Sequence, residues 1–165
     1  MKINLILRIF FFIIAITTFS SRGIAQTSFK QNDIYVEAGG NGLFTSLNYE
    51  RQLTKKPGIG ARVGVGFYTE DAFYLTIPVA VNYLFKLKGD NSFIDAGLGV
   101  TWARVNAALF RKSTRYEVDH FVNVVPNIGY RKHTRNDLMW RINITPIINN
   151  DAFTPWLGIS FGKRF

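Results

Sequence analysis

A chain of 165 residues with 47% hydrophobic and 15% aromatic side chains is long enough for one domain and too apolar to remain disordered. It contains no cysteine, which excludes a disulfide framework, a thiolate metal site and a lipid-modified cysteine anchor. The formal charge is +9, which alone fits nucleic acid, an anionic membrane surface or no specific partner.

Residues 1 to 25 start with Lys2, run through the apolar stretch from Ile9 to Ile16 and end in Gly23-Ile24-Ala25 before Gln26. A basic start, an apolar run too short to span a bilayer and small residues at a cleavage cleft predict a signal peptide cut after Ala25. Arg8 shortens the apolar run and Ser20, Ser21 and Arg22 close it, against the alternative of an uncleaved anchor helix. Loss of Lys2, Arg8 and Arg22 lowers the formal charge from +9 to +6, and export removes nucleic acid as a partner. The remaining residues, 26–165, are expected to form a single domain.

From Asp33 onward the side-chain period is two. Successive apolar positions are Ile34, Val36, Ala38; Leu43, Thr45, Leu47, Tyr49; Ala61, Val63, Val65, Phe67; and Phe73 through Phe85 in alternate residues. The pattern resumes with Ile94, Ala96, Leu98, Val100, Trp102, then Val122 through Tyr130, then Trp140, Ile142, Ile144, and last Leu157, Ile159, Phe161. Those eight runs are separated by turn signals such as Gly39-Gly40-Asn41-Gly42, Lys55-Lys56-Pro57-Gly58 and Asn149-Asn150-Asp151. Short connections force antiparallel neighbours, and a meander of eight strands can close on itself. One connection, 103–119, is long; with the amino terminus periplasmic, it falls on the extracellular side. The fold class predicted is therefore all-β, an eight-stranded antiparallel up-and-down barrel.

In a soluble carrier the apolar face lines the cavity, whereas in a membrane barrel it meets lipid. Gly64, Gly66, Gly97, Gly99, Gly129, Gly158 and Gly162 all share the polar face, where a crowded lumen selects small residues. Charges on that face are few and of both signs. A second turn centred near Lys56 puts Glu50 opposite Arg62, and a fourth centred near Lys88 brings Asn82 close to Asp95. Large aromatics, among them Tyr83, Phe85, Trp102, Tyr130 and Trp140, gather near the ends of the apolar face, where interfacial girdles form. The apolar face is expected to meet lipid.

The closing strand, Trp156 to Phe165, ends on an aromatic residue in phase with Leu157, Ile159 and Phe161. Together with Tyr35-Val36-Glu37-Ala38-Gly39-Gly40, Leu47-Asn48-Tyr49-Glu50-Arg51 and Ile77-Pro78-Val79, the chain resembles the small eight-stranded outer-membrane β-barrel family of Gram-negative bacteria, often called porin-like. That resemblance implies an outer-membrane location, lipid and lipopolysaccharide as surroundings, and Phe165 as the signal read by the barrel-assembly machinery. It supplies no catalytic residues and no cofactor.

Glu37, Glu50, Arg62, Asp95, Arg131 and Arg141 on the polar face are expected to form a structural lumenal network rather than an ion path, because an eight-stranded barrel is just wide enough for its own side chains. His120 and His133 lack the companion ligands of a metal site. Arg104, Arg111, Lys112 and Arg115 in the long loop fit a solvated loop, or contact with lipopolysaccharide phosphates or an external partner. A non-enzymatic envelope or surface-contact role is the leading reading. Two others stay open: a lipid-A-modifying hydrolase using Ser113, Asp119 and His120, and a soluble periplasmic carrier with the apolar face turned inward.

Overall fold

The structure is a computed structural model that describes residues 29–69, 73–89, 91–106, 118–148 and 153–165. The expected signal peptide and most of the long loop lie outside those residues. Strands β1 (Asn32–Gly39), β2 (Thr45–Gln52), β3 (Ile59–Thr69), β4 (Phe73–Lys86), β5 (Ser92–Asn106) and β6 (Val118–His133) follow in order. Then come β7 (Leu138–Ile144), the two-residue strands β8 (Ile147–Ile148) and β9 (Phe153–Thr154), and β10 (Leu157–Arg164). Each strand pairs antiparallel with its neighbours in the order β5-β4-β3-β2-β1-β10-β7-β6, and pairing of β5 with β6 closes the ring.

Eight staves result, because β8 continues β7 and β9 leads into β10. Ile128 faces Ile144 and Val124 faces Ile148 at the same offset, so β6 runs past the interruption in one register. Leu157 against Ile144 and Thr154 against Ile147 repeat this on the other side. Pro146 and Pro155 occupy the two breaks; neither has an N–H to give to a ladder.

The barrel is inside out relative to a soluble protein. On the outside, Val63, Val79 and Ile142 are 48%, 52% and 50% exposed, whereas Arg62 is 3% exposed and Arg141 fully buried. That arrangement opposes the carrier reading, which needs the reverse. The inward glycines make the crowded interior possible: a Cβ on Gly129 would run into the Ile142 carbonyl oxygen, and one on Gly162 into that of Ile34. Because the obstacle is backbone, nothing cheap can move aside.

Three local expectations change. The long connection is shorter than 103–119, since Arg104 still faces His120 and Asn106 faces Val118; β5 and β6 keep pairing past the apolar outward band because their backbone groups need partners. Leu43 has a left-handed backbone, φ 73°, which turns its side chain inward and Phe44 outward, the opposite of strict alternation. The turn Gly40–Gly42 is not a surface hairpin but a buried 3-10 turn folded into the barrel mouth. Positive φ at Gly39 and Gly40 permits the inward bend. Thr101 Oγ1 donates to Asn41 O at 2.5 Å and Thr76 Oγ1 to Gly42 O at 3.0 Å, fastening it.

Val79 sits at mid-height of β4 and faces outward. With lipid against that face, Val79→Arg should lower stability in vesicles by about 2–4 kcal/mol. The same change in a detergent-free aqueous barrel would be nearly neutral. Urea titration of the refolded protein in phosphatidylcholine vesicles distinguishes the two, and an unchanged midpoint contradicts the lipid-facing assignment.

Candidate functional site

Within the described barrel, buried charge gathers in the interior. Inward phase on β1, β2, β3, β5, β6 and β7 supplies Glu37, Glu50, Arg62, Asp95, Arg131 and Arg141, and the structure brings all six together, each buried. Arg131 donates from Nη1 and Nη2 to the two oxygens of Glu50, both at 2.7 Å, a bidentate fork. Its Nη2 also reaches Asp95 Oδ2 at 2.6 Å. Arg141 donates to Asp95 Oδ2 at 3.1 Å, to Glu37 Oε1 at 2.8 Å and to Ser160 Oγ at 3.1 Å. Arg62 lies at the margin, with Nη1 4.0 Å from Glu37 Oε1 and 3.4 Å from the Tyr35 hydroxyl.

Arg131 and Arg141 are direct cross-strand neighbours, a placement that repels two like charges. Asp95 resolves it by accepting from both guanidinium groups through one oxygen. Asn82 Nδ2 bridges Glu50 Oε1 at 3.1 Å and Asp95 Oδ1 at 3.0 Å, which keeps the two carboxylates apart while satisfying both. The Tyr35 ring lies under Arg141, 4.9 Å from its centroid to Cζ. Three cations and three anions cancel within the cluster. Such a network is costly to enter from water and costly to leave incomplete.

Registers expected from turn centres hold at the first site and shift at the second. Glu50 does face Arg62, yet its ion partner is Arg131, across the lumen. Asn82 faces Gly97, two pairs away from Asp95 along the ladder, and meets it diagonally. Sequence reasoning passed over Asp33, which lies 3.4 Å from Arg131 Nη1 and 3.5 Å from Arg164 Nε, and Ser160, which links Arg141 to Glu37. Both sit in inward phase, so the alternation carried the signal.

By sequence His133 falls in the periplasmic turn stretch Lys132 to Asn136, and the structure places it elsewhere. It is the last residue of β6 and is buried, its ring 4.7 Å from that of Phe93 and 6.0 Å from that of Phe29. Phe29 also lies under Arg164, 4.8 Å from Cζ. Lys30, next to it, pairs with Asp137 at 2.5 Å. The segment before β1 thus crosses the barrel mouth opposite the Gly40–Gly42 turn. Ser113 and the side chains of Asp119 and His120 lie outside the described residues, so the hydrolase arrangement gains no support from geometry. Among the described residues no three acids or histidines cluster as metal ligands.

No family model and no curated protein matches the sequence. Solved structures do match in fold. The N-terminal β-barrel domain of Pseudomonas aeruginosa OprF aligns over 82% of this chain and 96% of its own length, with TM-score 0.61 and 8% identity. Ail, the attachment invasion locus protein of Yersinia pestis, aligns over 83% of this chain and its full length in a crystal structure, with TM-score 0.55 and 11% identity. Its backbone structure in a phospholipid bilayer nanodisc, described there as an outer membrane protein, gives 0.52 at the same identity and coverage. The chain has the fold of small eight-stranded outer-membrane barrels.

Removing one partner from the network should cost far more than removing charge from the surface. Arg131→Met strands Glu50 and Asp95 without their principal cation and should destabilise the barrel by about 3–5 kcal/mol. The exposed change Lys55→Met should stay within about 0.5 kcal/mol. Denaturant midpoints of the two variants in the same vesicles check this, and equal midpoints would remove the network from the list of stabilising features.

Proposed function

We propose that this chain is an exported, non-enzymatic outer-membrane barrel with a structural or surface-contact role, its lumen plugged by side chains. The observation that carries the reading is the inversion of faces: a continuous apolar exterior around a neutral, fully buried charge cluster. Apolar surface of that extent on a monomer needs a non-aqueous neighbour, and a closed barrel leaves no unpaired backbone edge in lipid. The fold shared with OprF and Ail supports the same location.

What supports plugging is where the side chains meet. Arg131 reaches from β6 to Glu50 on β2, and Arg141 from β7 to Glu37 on β1; the Gly40–Gly42 turn fills one mouth and Phe29 lies across the other. A water-filled path of porin width has no room beside these contacts. Surface contact then belongs to the loops at the end opposite the termini, with lipopolysaccharide as their neighbour. The signal peptide leaves after Ala25, so that Gln26 begins the mature chain.

Phe165 serves as an assembly signal. Its backbone N–H donates to Asn32 O at 2.9 Å and Asn32 N–H returns a bond at 3.3 Å, while its ring faces outward. A residue that zips the last strand to the first yet exposes its ring is suited to be read by another protein before closure.

Cell fractionation should place the protein with outer membranes, migrating faster on gels before boiling than after, with an amino terminus at Gln26. Planar-bilayer recordings should show no porin-scale conductance, and lipid A mass should be the same with and without the protein. Recovery in the soluble periplasm overturns the location, a large steady conductance overturns the plug, and altered lipid A overturns the non-enzymatic assignment. Phe165→Asp should sharply reduce membrane-assembled protein in cells while leaving refolding into detergent unchanged. A parallel loss in both assays would make Phe165 a stability residue.

A further inference from the structure

The wall between β6 and β7 lacks its hydrogen bonds at one level. Ile128 faces Ile144 and Val124 faces Ile148, and this shared offset sets Pro126 opposite Pro146 and Asn127 opposite Thr145. In an antiparallel ladder, opposed residues alternate between pairs that exchange two N–H···O bonds and pairs that exchange none. Thr134 N–H donates to Leu138 O at 2.8 Å across the same two strands, which makes the even-numbered pairs the exchanging ones. Pro126 and Pro146 are such a pair, and neither has an N–H. Both bonds are therefore missing, and the two carbonyl oxygens have no ladder donor opposite. The nearest exchanging pairs are Ile128 with Ile144 and Val124 with Ile148, so about 13 Å of wall runs without an exchanged bond. The seam on the other side of β7 is spared. Pro155 also lies opposite Pro146, but there the odd-numbered residues of β7 bond, and Thr145 N–H reaches Trp156 O at 2.9 Å.

The inner face at the same level holds polar side chains without partners. Asn127 and Thr145 face each other across the seam, and Asn143 is the next inward residue on β7; none is more than 5% exposed. Asn127 Oδ1 accepts from Arg62 Nη2 at 3.4 Å. Its Nδ2, the Thr145 hydroxyl and both amide atoms of Asn143 have no hydrogen-bond partner among the described residues. Asn143 is bordered by Gly129 on one side and Gly158 on the other, which offer no side chain to meet it. The outer face is apolar: Val124, Ile128, Ile144 and Ile148 are all exposed. Two carbonyls without ladder donors and four orphaned side-chain atoms thus lie on one short stretch of wall, where each costs free energy until something bonds to it.

We propose that the wall at Pro126 and Pro146 is a lateral entrance, through which small uncharged hydroxyl-bearing molecules reach a binding site formed by Asn127, Asn143 and Thr145. A hydroxyl both donates and accepts, so it can serve the free amide N–H groups and the Asn143 carbonyl oxygen alike. Charge is excluded for two reasons. The neighbouring ion network is already neutral and complete within itself, and an ion would have to cross the apolar outer face. The missing bonds make this seam the easiest part of the wall to part. The site goes beyond the structural role given above, and only the opening of the entrance to lipid rests on the membrane reading.

The test uses the full mature chain refolded into phosphatidylcholine vesicles. Because the chain has no cysteine, Thr145→Cys carries a single thiol. Methyl methanethiosulfonate, small and uncharged, should label it about tenfold faster or more than the trimethylammonium-ethyl analogue does. Adding Pro126→Val and Pro146→Val, which restores both ladder bonds, should slow the labelling about tenfold. Ser46→Cys, equally buried but on β2, should stay unlabelled in either background. Equal labelling of the two thiols puts the entrance at the barrel mouth, and an unchanged rate in the double valine variant takes the seam out of the path; either result overturns the proposal. NMR of the unaltered protein gives a second readout. Nuclear Overhauser contacts from water or from n-propanol to the side-chain amides of Asn127 and Asn143 support the site and identify which hydroxyl fills it, and contacts from neither overturn it. Heat-modifiable migration is scored in parallel: a folded barrel with an unreactive Thr145→Cys thiol sinks this inference alone, whereas a chain that never enters vesicles sinks the membrane reading.

Discussion

The bidentate grip of Arg131 on Glu50, shared through Asp95 with Arg141, constrains everything around it. Ions in a medium that cannot solvate them must have partners in hand as the barrel closes. Adjacent staves supply only part of them: Asp95 on β5 reaches Arg131 on the neighbouring β6, but Arg131 also needs Glu50 on β2, and Arg141 on β7 needs Glu37 on β1. The network is therefore complete only when the ring is complete. Closure and charge compensation are one event, which explains why a strand arrangement with weak local contacts can be cooperative.

That coupling assigns a purpose to the glycines. A guanidinium crossing a narrow lumen needs room that a Cβ on the facing wall would take. Gly129 stands beside Asp95 and Asn143 in the ladder, Gly158 faces Gly39 and Asn143, and a Cβ at Gly60 would crowd Asn82 and Gln52, both members of the charged layer. The inward face thus sets glycines among long charged and polar side chains. A soluble sheet has no comparable reason to place glycine on its polar face, because solvent yields where a lumen does not.

Much of this was legible in the sequence, for an identifiable reason. The period of two assigns each residue to a face without knowledge of its partners, so all eight staves, the apolar outward row and the six network residues could be read from alternation and turn spacing. Ion pairs were not legible. Glu50 and Arg62 lie in register, yet Glu50 bonds to Arg131 across the lumen, a choice set by barrel diameter and strand tilt rather than by neighbours in the ladder. Leu43 and Phe44 escaped for a different cause: a left-handed residue between turn and strand advances the phase by one, and nothing in a leucine announces a positive φ. Gly40–Gly42 read correctly as a turn but not as a buried one, since its fastening threonines, Thr76 and Thr101, lie on strands far along the chain.

The two mouths carry inward segments of different kinds, and the difference follows from chain connectivity. At the end away from the termini, a turn between β1 and β2 must return to an adjacent stave, so only a short segment rich in glycine can dip inward and come back. At the terminal end, the segment before β1 has no return to make. It can lay Phe29 across Phe93, His133 and Arg164 and anchor Lys30 to Asp137. Both caps shield the same charged layer, and the second depends on Arg164, which also touches Asp33 at the bottom of the network. The closing strand therefore ties cap, network and first strand together within its last residues. Its outward neighbours Lys163 and Phe165 are left to deal with whatever surrounds the rim.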